Sequence, residues 1–437
     1  MKITHLSNSF INVELNGTKI VCDPWVGIAN HGGWHAYPEF DESELIALVS
    51  DADYVYISHV HSDHFDPDFL VKAGLTKKIF IIKEFAHPIL KNRLLKLGVQ
   101  TVLELKAFEK FELAHNNSLA IIPQLTSNSS GLEDSINYDL DTSIIFSDGI
   151  KTFFNQVDNP LSEKNYEQVR QFIADHFGDL DVACLVCGAA SEYPQCFIGI
   201  DREGEKNRII EASLKKIKTT VDILKPKVTF IAGGSYFIPG KYSILNGNIA
   251  QPTFEQIKNI LNPETETLYL EGGKQINMEF DQPAQLLLHA IEPLRTMSES
   301  IKLHAQDLYP YQERAPNTLP ELRAAFDAAK TNYFKKIQDT GLHLDTSVKF
   351  IVYEDIQFSS GLVIQSSPIC ELELDSTVGE SYSSAHILIH IDSQAIYECL
   401  CRLANWNQTL SGSLCLFERN PNIHKPEVLF SLNYLVA

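Results

Sequence analysis

The stretch Ile57-Ser58-His59-Val60-His61-Ser62-Asp63-His64 restricts what this chain can fold into more than any other. It continues an apolar run, Tyr54-Val55-Tyr56-Ile57, whose β-branched and aromatic residues read as a buried strand. A strand that ends by releasing His-x-His-x-Asp-His into a loop gathers three imidazoles and a carboxylate around one point. Imidazole suits zinc, iron and related ions, and a carboxylate adds a hard oxygen ligand. Packing gives no reason for these side chains at this spacing, whereas metal binding does. His59, His61, Asp63 and His64 are therefore candidate metal ligands.

Composition sets the setting for that site. At 437 residues the chain exceeds one ordinary domain, and its 44% apolar content supplies real cores. A net charge of -20 argues against nucleic acid or an anionic membrane as the main partner, because both demand a basic face. A small anionic substrate needs only a local positive pocket and stays admissible. The eight cysteines are scattered. Cys184-x-x-Cys187 has no second pair at zinc-ribbon spacing, so the thiols read as buried groups in a reducing compartment. Met1-Lys2-Ile3-Thr4-His5 lacks the apolar core of a signal peptide, and no run approaches a membrane span. The expected location is the cytoplasm.

In chain order, strands are expected over 1–6 and 10–15, turned by Asn16-Gly17 into a return strand, Lys19 to Cys22, that ends in Asp23-Pro24-Trp25. A glycine-rich loop, 26–39, follows with His31, Trp34 and His35, and makes a candidate substrate wall. Asp66-Pro67 reads as a helix cap and first turn. Regular alternation of sheet and helix then predicts an α/β domain over 1–300. Pro310 to Pro320 marks a boundary, after which the helix Leu322 to Thr340 and strands Val348 to Tyr353, Gly361 to Gln365 and one ending at Asp392 predict a smaller α+β domain over 301–437.

The motif at His59, His61, Asp63 and His64 resembles the defining motif of the metallo-β-lactamase superfamily. That resemblance implies an αββα sandwich with one or two metal ions at an edge shared by two sheets. His59 and His61 would serve one ion; Asp63 and His64 would serve a second, or Asp63 would act as a base on bound water. Asp158, just after the strand Lys151 to Asn155, stands where the superfamily has its bridging aspartate. The residues themselves leave open that Asp158 instead caps the helix Glu163 to His176. Two superfamily histidines are missing: Gln124 and Gly233-Gly234-Ser235 stand in their places. His31 and His35 are the candidates to replace an imidazole.

Several segments are similar, in common order, to the CMP-N-acetylneuraminate hydroxylase group: Asp23-Pro24-Trp25, Phe154-Asn155-Gln156-Val157-Asp158, Ser191-Glu192-Tyr193-Pro194-Gln195-Cys196-Phe197, Gly233-Gly234-Ser235-Tyr236-Phe237 and, loosely, Trp406-Asn407 with Ser411-Gly412-Ser413. The likeness implies an iron-dependent oxygenase fed by a Rieske cluster. Such a cluster needs Cys-x-His pairs, and no cysteine here has a histidine two or three residues on. The expected function is a non-haem iron oxygenase or hydroxylase acting on a small polar or anionic substrate. It would hold one or two iron ions at His59, His61, Asp63, His64 and Asp158, with Asp63 and His64 catalytic; either electrons arrive from a partner protein, or the metal site oxidises its substrate without that relay. His35, Tyr193 and Tyr236 are expected to line the substrate pocket. The alternative is a zinc metallohydrolase cleaving a phosphoester, amide or lactone.

Overall fold

The computed structural model describes residues 1–125, 140–159, 161–188, 190–278, 285–286, 289–374 and 385–437. Among them, one sheet runs in the order Gln285–Leu286, Lys274–Asn277, Lys2–Ser7, Phe10–Leu15, Thr18–Cys22, Tyr54–Tyr56, Ile79–Lys83, Thr101–Leu105. A second runs Glu266–Leu268, Val228–Ala232, Val182–Val186, Thr152–Asn155, Thr142–Ser147, Ser118–Pro123, Phe111–Glu112. The hairpin at Asn16-Gly17 forms as expected: both residues have positive φ, 42° and 81°, which the tight turn demands.

The two sheets face each other through an apolar layer. Ile3, Ile11, Val13, Ile20 and Ile81 of the first meet Ile121, Ile144, Phe146, Phe153 and Phe230 of the second. The outer face of the first sheet is covered by helices Glu42–Val49, Pro67–Lys72 and Ile89–Lys96, through Leu45, Leu70, Leu90 and Leu94. The outer face of the second carries Glu163–His176, Arg202–Leu224 and Phe254–Ile260. The order is helix, sheet, sheet, helix. Asp66 caps its helix as its sequence predicts, its Oδ1 accepting from Phe69 N at 3.0 Å with Pro67 in the first turn.

The C-terminal part centres on a sheet in the order Cys370–Leu374, Ser347–Tyr353, His386–Asp392, Leu416–Asn420. Helix Leu319–Thr340 packs on it; Thr318 and Glu321 form its capping box, and Gly341 ends it at φ 66°. The strand expected over Gly361 to Gln365 is only a bridge between Phe358 and Ile364, because Leu362 at φ 59° turns the chain back. This part shares one core with loops of the sandwich: Trp25, Trp34, Phe197, Tyr236 and Tyr242 cluster with Tyr309, Phe350, Trp406 and Phe417. Backbone joins them too, Ile198 N donating to Phe417 O at 2.7 Å and Phe417 N to Cys196 O at 2.9 Å. A tight crossing is Gly33 over Gly412, where a Cβ on Gly33 would stand 2.0 Å from the Gly412 carbonyl oxygen. No helix of the described residues is long and apolar enough to cross a membrane.

Candidate metal centre

Four strand ends converge at one edge of the sandwich. Strand Tyr54–Tyr56 delivers His59, His61, Asp63 and His64. Its parallel neighbour Thr18–Cys22 delivers Asp23, strand Thr152–Asn155 delivers Asp158, and Asp141 precedes strand Thr142–Ser147. Thr142 Oγ1 pins the edge by donating to Ser58 O at 2.8 Å, with Tyr56 OH 2.6 Å away.

Within this ring, His59 Nε2 lies 2.9 Å from His61 Nδ1 and 3.8 Å from Asp141 Oδ1. His64 Nε2 lies 3.4 Å from both Asp63 Oδ2 and Asp158 Oδ2. Asp158 Oδ1 links the two groups, 3.9 Å from His59 Nδ1. His59, His61 and Asp141 form one set of three converging donors, and His59, His64 and Asp158 form another.

The tautomers follow from Asp23, which is fully buried. Ser58 N and Oγ donate to its carboxylate at 2.7 and 2.6 Å. Having spent its proton there, Ser58 Oγ accepts from His59 Nδ1 at 2.9 Å, so His59 Nε2 carries a lone pair aimed at His61 and Asp141. His64 Nδ1 donates to Asp23 Oδ2 at 3.0 Å, which aims Nε2 at Asp63 and Asp158. A carboxylate behind a histidine is the usual brace of a metal-binding ring.

Charge divides the ring into two halves. Burial pushes the His59 and His61 pKa values below the ordinary imidazole value, so both present neutral nitrogens. Burial acts against charge on His64 as well, yet Asp158 and Asp63 beside it lift its pKa well above the ordinary range. Burial alone would raise Asp158; the His64 and His59 rings overcome it and hold the carboxyl below the usual range. Neutral imidazoles and ionised carboxylates are the forms that bind cations; His59, His61 and Asp158 stand in those forms, and His64 joins them by releasing its proton.

The structure brings all five expected ligands together: His59, His61, Asp63, His64 and Asp158. Ser162, not Asp158, caps the following helix. Neither His31 nor His35 supplies a further imidazole. His31 Nε2 accepts from Asn405 N at 2.8 Å, and His35 packs on Phe237 and His304. The additional donor is Asp141, which the sequence reading missed. Its strand pairs Thr142 with Pro123, which places Asp141 beside Gln124. Gln124 Oε1 accepts from Leu140 N and Asp141 N at 3.2 Å and holds that turn.

A cavity of about 420 Å³ opens on the centre, bordered by His61, Asp63, Asp141 and Asp158. Its other walls come from Trp34, Glu192, Asn407, Gln408, His424 and Phe430. Gln408 Nε2 also reaches Ser62 Oγ of the motif loop at 3.3 Å. His35, Tyr193 and Tyr236, expected as pocket residues, are not among its lining. On a strand, neighbours face opposite ways, so Trp34 takes the wall and His35 the far side. Tyr236 stacks on Trp34, ring centroids 4.1 Å apart, and Tyr193 packs on Phe197 and Arg419.

Helix, sheet, sheet and helix, with His-x-His-x-Asp-His leaving a strand at the common edge, is the metallo-β-lactamase fold. More particularly, the chain is similar to the cytidine monophosphate-N-acetylneuraminic acid hydroxylase of Pongo pygmaeus, 28% identical over 247 residues, 54% of this chain and 39% of that protein. It is also 27% identical over 200 residues to a protein of Mycolicibacterium smegmatis that bears the name of a Rieske 2Fe-2S iron-sulfur protein, covering 45% of this chain and 36% of that one. The chain thus spans less than two fifths of the length of these curated relatives. Among solved structures, CmlA, a diiron β-hydroxylase from Streptomyces venezuelae, superposes with a TM-score of 0.43 at 16% identity, over 65% of this chain and 54% of that one. No family model matches the chain.

Proposed function

We propose that this chain is a metal-dependent oxygenase that holds one or two iron ions and oxidises a small polar substrate. The observation that carries this reading is the donor set: two histidines and one carboxylate, His59, His61 and Asp141, with a second carboxylate-rich half at His64, Asp63 and Asp158. Two histidines and a carboxylate with open positions are the ligand pattern of non-haem iron oxygenases; a catalytic zinc takes the same three ligands and a water, so the identity of the bound ion decides between oxygenase and hydrolase. Iron bound here would supply the reaction with dioxygen that no side chain provides.

The chain's own groups have definable tasks. Asn407 and Gln408 offer amide hydrogen bonds to a polar substrate, and Trp34 and Phe430 supply apolar walls. The Trp34 indole N–H is buried without a partner among the described residues. Asp158, with 41% of its side chain exposed, borders the cavity, and its carboxylate would help hold the cation there. Inserting one oxygen atom from dioxygen into a C–H bond, with the other leaving as water, consumes two electrons and two protons. All eight cysteines are free thiols without Cys-x-His spacing, so the electrons must come from outside these 437 residues.

Elemental analysis of protein purified with and without air tests the reading. Iron, together with oxygen uptake driven by a reduced donor, supports it. Zinc, with ester hydrolysis and no oxygen uptake, overturns it in favour of the hydrolase, for which Asp63 beside His64 would be the base.

A further inference from the structure

A second histidine–carboxylate cluster lies outside the cavity. His35 sits on strand Trp34–Ala36, Glu39 three residues beyond that strand, and His304 at the end of helix Met297–Leu303. We infer that His35, Glu39 and His304 form a peripheral site for zinc or a similar borderline divalent ion, one that clasps the strand bearing Trp34 to the 297–307 segment.

Each ring already has the support that a metal ligand needs. His304 Nδ1 donates to Asp307 Oδ2 at 2.6 Å, and His35 Nδ1 to its neighbour's carbonyl, Ala36 O, at 3.3 Å. Nε2 of each ring is then the ligand atom, His304 Nε2 giving up to a cation the proton it shares with Glu39, and a carboxylate or carbonyl behind the ring is the arrangement typical of metal-binding histidines. Glu39 is likewise oriented, by Arg295 at 2.9 Å and by Ser300 Oγ. His304 Nε2 lies 3.1 Å from Glu39 Oε1, and the three donor atoms fall within 4.8 Å of one another. Ligand atoms on a tetrahedral zinc with bonds of about 2.0–2.1 Å sit roughly 3.3–3.4 Å apart. Closing the trio therefore takes about an ångström, which partly exposed side chains allow. Two nitrogens and one oxygen suit zinc, cobalt or nickel rather than calcium or magnesium. Stacking of His35 on Phe237, ring centroids 4.9 Å apart, keeps the ring on this side of the strand.

The test counts zinc, added alone, in the full-length protein. In a His61→Ala background, which disables the central site, the inference expects a zinc equivalent that His304→Gln removes or weakens at least about tenfold. Cobalt should give the His61→Ala protein a visible d–d band that the double variant lacks. Equal zinc uptake and equal cobalt spectra in the two proteins would overturn the inference. If His304→Gln fails to melt cooperatively, His35→Gln takes its place under the same two outcomes. Because the comparison is made with the central site disabled, its result is independent of whether that site uses iron or zinc.

Discussion

The central and peripheral clusters use the same residue types under opposite conditions. Around the motif loop, His59 and His64 are 1% exposed and are braced by a buried carboxylate, Asp23, that never reaches the cavity. At the periphery, His304 and Glu39 keep 18% and 13% of their side chains exposed, and of the bracing groups Arg295 is half-buried and Asp307 exposed. The comparison teaches that strand ends of two sheets fix ligand geometry before a cation arrives, whereas a strand and a short helix end must be drawn together by it.

The sharpest way to break this contrast is His61→Ala. The ring is only partly buried, so the fold should survive while the central metal and the catalytic turnover are lost, measured by elemental analysis, circular dichroism and oxygen uptake. Unchanged metal content would remove the case for the centre. Next in size is Asp23→Asn, which leaves both rings in place but removes the charge that orients them. Metal affinity should fall about 10–100-fold by chelator competition, and stability by about 1–3 kcal/mol in urea melts.

The third prediction concerns protons. His64 in the metal-free protein holds its proton well above the ordinary imidazole range, because Asp158 and Asp63 outweigh the effect of burial. A cation must displace that proton, so affinity should rise with pH through the neutral range, with about one proton released per ion. Calorimetry in buffers of different ionisation enthalpy measures this, and Asp158→Asn should flatten the slope. Metal-free stability should run the other way. The His64 contribution is complete below its unfolded pKa of about 6.5 and is lost as pH rises through the raised folded value. The smallest effect is expected from His304→Gln without metal: about 1 kcal/mol or less, the scale of a partly exposed polar contact, read from melts in chelator.

Much of the sandwich was legible because its signals are local. A hairpin turn, an Asp-Pro cap and an apolar run before a histidine motif each occupy a few consecutive residues. Asp158 was legible for the same reason, standing just past a recognisable strand. Asp141 was not, since a lone aspartate at a strand start carries no pattern; only the pairing of Thr142 with Pro123 brings it to the ring. The cavity wall was hidden more deeply. Asn407, Gln408 and Phe430 reach a loop near residue 60 only because both parts of the chain bury one core. His35 lies one position of strand parity away from Trp34, which borders the cavity.

Gly33 and Gly412 cross so tightly that neither backbone has clearance for a side chain on that side. That seam works as a spacer gauge: it sets how near the wall helix Trp406–Ser411 stands to the histidine loop. One added carbon there would lever the helix outward and leave the chamber wider and wetter. The width of the chamber is thus set from a point outside its lining.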